Sequence, residues 1–117
     1  MPHRDIAIIL RQMRDHAREA VAMTRDRTRA DLDTDRMLNL ALVRLLEIIG
    51  EAANRVPAAH RDRHPQIPWS NLVGLRNRLI HAYDQVDFDI LWEIVSHDLP
   101  ALLAQLERLV SPDGPTA

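Results

Sequence analysis

An arginine, an asparagine and a histidine stand at Arg76, Asn77 and His81, in the run Gly74-Leu-Arg-Asn-Arg-Leu-Ile-His-Ala-Tyr83. Arginine is always cationic and presents a planar fork of donors that matches phosphate oxygens. Histidine, with an ordinary pKa near 6.5, takes or gives a proton around neutrality. If the run is helical, Asn77 and His81 are four apart, so Asn77 can orient one imidazole nitrogen and leave the other free. Arg76 is five residues from His81 and need not touch it within one helix. Two such helices meeting face to face would set both residue types around a shared cleft able to hold a phosphodiester.

Other residues offer less. His60 and His64 are four apart but have no carboxylate constellation beside them, which leaves a metal site incomplete. Glu47 and Glu51 share a helix face, and such pairs more often mark a solvated surface than an acid–base couple. The chain has no cysteine, which excludes disulfides and thiolate metal sites. It shows no phosphate-cradling glycine loop, serine nucleophile elbow or Cys–His pair. No cofactor or metal is expected.

The elements that must position Arg76 and His81 follow from periodicity. Apolar residues recur at helical spacing from about Asp5 to Arg29 (Ile6, Ile9, Leu10, Met13, Ala17, Ala20, Val21) and again from Leu38 to Val56, ending at Pro57. Between them the Asp-rich segment Ala30 to Asp35 favours turns and caps. Residues 57 to 68 hold three prolines and read as an exposed connection with at most one helical turn. A third helix is expected from Trp69 and Ser70 to about Tyr83, with Leu72, Leu75, Leu79 and Ala82 as its core stripe. On a second side, Arg76, Ile80, Val73, Asp84, Asn77 and His81 span an arc of about 140°, a mixed strip that suits a contact surface. Gly74 in mid-helix suggests close approach of another backbone, economically that of a twofold mate. Asp87 is a plausible N-cap for a fourth helix carrying Ile90, Leu91, Ile94 and Val95 inward. Pro100 then either kinks that helix or opens a fifth, capped by Asp98 or Leu99.

The 117 residues fit one domain, 1–117, with a tail expected to fray from about 111. Aromatics are few (Trp69, Trp92, Phe88 and Tyr83), so the core must come from Leu, Ile, Val, Ala and Met, which favours helices. All fifteen basic residues are Arg, and the formal net charge of −2 argues against broad electrostatic wrapping of nucleic acid. The N-terminus leads into a charged amphipathic stretch and no apolar run reaches membrane-spanning length, so a cytoplasmic location without a membrane partner is expected.

The Arg76-x4-His81 spacing, with Asn77 after the arginine, resembles the signature of HEPN domains. Leu45-Leu-Glu-Ile-Ile-Gly-Glu-Ala-Ala53, Ile67-Pro-Trp69, Gly74 to Tyr83 and Asp98-Leu-Pro100 together resemble the HepT-like toxin branch, over roughly residues 5 to 110. The resemblance implies an all-α, compact helical bundle of four to five helices that forms a homodimer. It further implies a metal-independent endoribonuclease acting on RNA, neutralised by a cognate minimal nucleotidyltransferase antitoxin. In that setting His81 would exchange a proton with the RNA 2′-hydroxyl or the leaving oxygen. Arg76 would hold the scissile phosphate, and Asn77 would orient His81 or the phosphate. Tyr83, in the His-x-Tyr extension, becomes a candidate acceptor of AMP from the partner, a modification that would block and repel substrate. The competing expectation is a non-catalytic nucleotide-binding or scaffold subunit for the transferase.

Overall fold

A computed structural model describes residues 3–80 and 85–110, the side chains of residues 3 and 4 excepted. The described residues fold as eight α-helical segments and one π segment joined by turns, more pieces than the four to five helices expected, because several are only four to six residues long. Helix α1 spans His3–Thr24 and buries Ile6, Ile9, Leu10, Met13, Ala17 and Ala20, the stripe its periodicity marks out. It stops at Thr24, short of the expected Arg29, with the Thr24 hydroxyl donating to the carbonyls of Ala20 and Val21. The chain then turns through Asp26 at φ 62°, a left-handed conformation that Asp tolerates better than most side chains.

The Asp-rich linker folds further than its composition suggests, forming a short helix α2, Asp31–Thr34, that buries Leu32 completely. Arg29 fastens this corner. Its guanidinium reaches Asp89 at 2.8 Å and Asp33 at 3.0 Å, hydrogen bonds that hold its pKa above the ordinary value. Asp35 caps the next helix, α3 (Arg36–Asn54), by accepting from the Leu38 N–H at 3.0 Å. The buried Asn39 donates to the Leu32 carbonyl at 2.9 Å and so ties α2 to α3.

Helix α3 is the centre of the bundle. Leu42, Leu46, Ile49 and Ala53 are fully enclosed between α1 on one side and the later short helices on the other. Each buried Leu or Ile contributes about 1.5–3 kcal/mol relative to exposure. The C-terminal carbonyls of α3 are closed by Arg61, which donates to Ala53 and Asn54 from Nη2 and to Val56 from Nε. Arg61 sits on α4, Ala58–Asp62, the single short helical piece expected between the prolines. The Trp69 indole N–H in turn bonds the carbonyls of Arg61 and His64 at 3.1 and 3.0 Å. Trp69 thus packs its ring in the core and holds the α3 cap in place.

The expected third helix is a correction. It divides at Gly74 into α5, Trp69–Val73, and α6, Leu75–Leu79, and ends there instead of running to Tyr83. Ile80 is extended (φ −110°, ψ 120°), pairs antiparallel with Val86, and packs against the core instead of facing outward. The Asp87 N–H donates to the Leu79 carbonyl at 2.9 Å, so a hairpin stem closes where another helical turn was expected. Leu72, Leu75 and Leu79 do form the core stripe.

Beyond the stem Asp87 caps α7, Phe88–Glu93, accepting from the N–H groups of Asp89 and Ile90. Leu91, Ile94 and Val95 are buried as expected, and Ile90 is packed against them. Of the two outcomes expected at Pro100, the second holds: a helix opens there with Asp98 at its N-cap position, although the Asp98 side chain accepts no capping hydrogen bond. A π segment, Ile94–Asp98, joins α7 to α8, Leu99–Leu109, with Pro100 in the first turn of α8. Leu99 donates to Ile94, five residues back, and the wider turn accommodates a residue that has no N–H of its own. Helix α8 returns along α1, burying Leu99, Leu102 and Leu106, and Val110 just past its end is buried as well.

Candidate active site

Arg76 is the second residue of α6 and its side chain is 63% exposed. Its Nε lies 3.8 Å from a carboxylate oxygen of Glu47, whose side chain is only 24% exposed. At that distance the contact is an ion pair and not a hydrogen bond. The two residues border a cavity of about 170 Å³ between α3 and the α5–α6 pair, lined also by Leu46, Gly50, Glu51, Asn54, Val73 and Leu75. Arginine on one wall faces two carboxylates, Glu47 and Glu51, on the other.

Backbone packing brings these walls together. A Cβ built on Gly50 would meet the Leu72 carbonyl oxygen at 2.7 Å, so α3 and α5 touch backbone to backbone at this point. The sequence reading reserves Gly74 for the backbone of a twofold mate, which a single chain does not test. There a Cβ would meet only the carbonyls of Ser70 and Asn71 in the preceding turn, at 3.3 and 3.9 Å. Gly74 marks the break between α5 and α6.

Asn77 follows Arg76 on α6 and is exposed. Its expected pairing with His81 assumed a helix continuing through both, and that premise fails because α6 ends at Leu79. His81 and Tyr83, with Ala82 and Asp84, lie outside the described residues. The described stem residues Ile80 and Val86 hold the two ends of that segment together.

Glu47 was visible in the sequence as half of a carboxylate pair, but its partnership with Arg76 was not. No spacing rule links residues on different helices. The usable sign was Gly50 itself, a glycine inside a strongly apolar helix one turn from Glu47. On the far side of α5 and α6 a second cavity, about 310 Å³, has an apolar floor that includes Leu72, Leu99 and Leu102. Arg78 and Asp98 face each other at its edge, 3.7 Å apart. Among the described residues no group of three or more His, Asp or Glu side chains is placed to hold a metal. No described helix is long and apolar enough to cross a membrane.

The all-α fold is the one the sequence resemblance implies. The ribonuclease HepT-like family matches residues 13–109, and the chain belongs to that family. It is 36% identical over 107 residues to "Putative RNase MJ1380" of Methanocaldococcus jannaschii, covering 92% of this chain and 98% of the relative. It is 39% identical over 95 residues to "Probable ribonuclease HepT" of Thermococcus cleftensis, covering 78% of this chain and 86% of that one. No solved structure gave a significant match.

Proposed function

We propose that this protein is the toxin of a toxin–antitoxin pair, an endoribonuclease that cleaves RNA without a metal and is restrained by a nucleotidyltransferase partner. The observation that carries the reading is Arg76, exposed at the edge of a cavity in a chain of the HepT-like ribonuclease family. Arg76 binds the scissile phosphate through its guanidinium and stabilises the charge that builds on the phosphoryl oxygens. His81 moves the proton, at the 2′-hydroxyl or at the leaving oxygen. Asn77, next to Arg76 and exposed, contributes an amide to the phosphate or to His81.

The active unit is a homodimer whose cleft collects these residues from both copies. Val73, 39% exposed beside Arg76, and Met37 and Leu40 on the outer side of α3 supply the apolar surface such a contact needs. Tyr83 is the site at which the partner transfers AMP. The tyrosine oxygen attacks the α-phosphorus of ATP and pyrophosphate leaves, so that a bulky anion stands where substrate phosphate must bind.

The deciding experiment compares wild type with Arg76→Ala and His81→Ala for RNA cleavage by purified protein and for growth when each is expressed alone. Wild type should cleave and arrest growth, and both variants should do neither. Equal behaviour of all three would leave a scaffold for the transferase as the function. Intact mass after incubation with the partner and ATP should rise by whole AMP units, and the rise should vanish in Tyr83→Phe. A rise that persists in that variant places the modification elsewhere.

A further inference from the structure

We infer that Glu47 is a positioning residue that biases the orientation of the Arg76 guanidinium, so that its outer Nη edge meets the phosphate. The inference rests on the reading of Arg76 as the phosphate-binding group. A guanidinium on an exposed side chain loses several rotatable bonds of freedom when it binds, and that loss weighs against a productive complex. One carboxylate 3.8 Å from Nε biases the fork before substrate arrives. Of the five N–H donors of arginine, the one on Nε lies on the side facing Glu47, and the pair of nitrogens at the tip is left for an incoming anion.

Three features make Glu47 the residue able to do this. It is three-quarters enclosed, among Leu46, Val73 and Leu75, where a charge acts more strongly than in open solvent. Its backbone is clamped to the helices around Arg76 by the Gly50–Leu72 contact three residues on, so the two groups are set by packing and not by side-chain reach alone. Glu51, one turn further, is exposed and has no ion pair among the described residues. A carboxylate this close to a phosphate site also repels substrate. Its removal should therefore slow turnover without weakening binding.

The test uses Glu47→Gln, Glu47→Asp and wild type in the full chain. Two readouts apply: RNA cleavage resolved into kcat and KM, and 15N relaxation of the Arg76 Nε–H group, assigned by its disappearance in Arg76→Lys. In Glu47→Gln kcat should fall about tenfold with KM unchanged or lower, and the Nε–H group should gain fast motion. Glu47→Asp, with its carboxylate retained one carbon further back, should recover part of both. Unchanged melting temperatures will separate the effect from a folding defect. Unchanged Arg76 motion in Glu47→Gln overturns the inference, and so does an unchanged kcat. If wild type cleaves no RNA, the reading of Arg76 has failed, and the relaxation data alone decide whether Glu47 orders the guanidinium.

Discussion

Arg76 is held by little, and that is what makes it testable. Its single described ion pair, between a mostly exposed guanidinium and Glu47, is worth at most about 1 kcal/mol. Replacing Arg76 should therefore leave the melting temperature within a few degrees of wild type. Function should respond quite differently. Lysine keeps the charge but lacks the planar fork, so Arg76→Lys should retain phosphate attraction and lose orientation, with cleavage down about tenfold to a hundredfold. A fully active Arg76→Lys would mean that charge alone suffices and that two-pronged contact is not part of the mechanism. Asn77, exposed and adjacent, should likewise be replaceable by Ala without loss of stability. Calorimetry on the same preparations used for cleavage assays checks both claims.

At the scale of elements, the long apolar stripes were legible because their burial depends on local periodicity. The stripes of α1 and α3 are buried as read except Val21, which is half-buried, and Asp35 and Asp87 cap helices where their side-chain chemistry suits it. What escaped the sequence was decided by contacts distant along the chain. Ile80 leaves the helix because Val86 and Asp87 return to pair with Ile80 and Leu79, which one-dimensional spacing cannot reveal. The π segment before Pro100 answers a local conflict in which proline must be accommodated without giving up burial of Ile94, Val95 and Leu99. The two glycines convert this lesson into a prediction. Gly50→Ala sets a methyl 2.7 Å from a backbone oxygen, an overpacking that should cost about 1–3 kcal/mol and move α5 and α6 away from Glu47. Gly74→Ala, at φ −87° and with its nearest atom at 3.3 Å, asks for a shift of a few tenths of an ångström at most, and should stay within about 1 kcal/mol of wild type. Urea melts of the two variants should separate clearly. Equal losses would mean that the α3–α5 contact is looser than its geometry indicates.

The whole molecule presents an outer stripe along α3 on which Met37, Leu40, Arg44, Glu47, Glu51 and Asn54 fall within an arc of about 100°. Its first turns are apolar yet exposed, Met37 by 82% and Leu40 by 52%. Beside Leu40 an open depression of about 600 Å³ runs to Gln85, Val86 and Phe88, where the chain returns to pair with Ile80. Further along, the same stripe reaches the carboxylates opposite Arg76, so a twofold mate seated on it would lie next to the candidate site. A stable interface of this kind covers about 800 Å² on each copy, and a twofold axis doubles the effect of any substitution within it. Leu40→Glu places two carboxylates in the contact and removes two buried leucines, a loss of at least about 3 kcal/mol or a hundredfold in dimer affinity. Light scattering should find wild type dimeric and Leu40→Glu monomeric, with equal helical content by circular dichroism because Leu40 contributes nothing to the monomer's core. If the cleft is shared, RNA cleavage should fall together with the dimer and recover as protein concentration is raised. A Leu40→Glu protein that stays dimeric would exclude this face. One that is monomeric and fully active would show that a single copy holds the whole site.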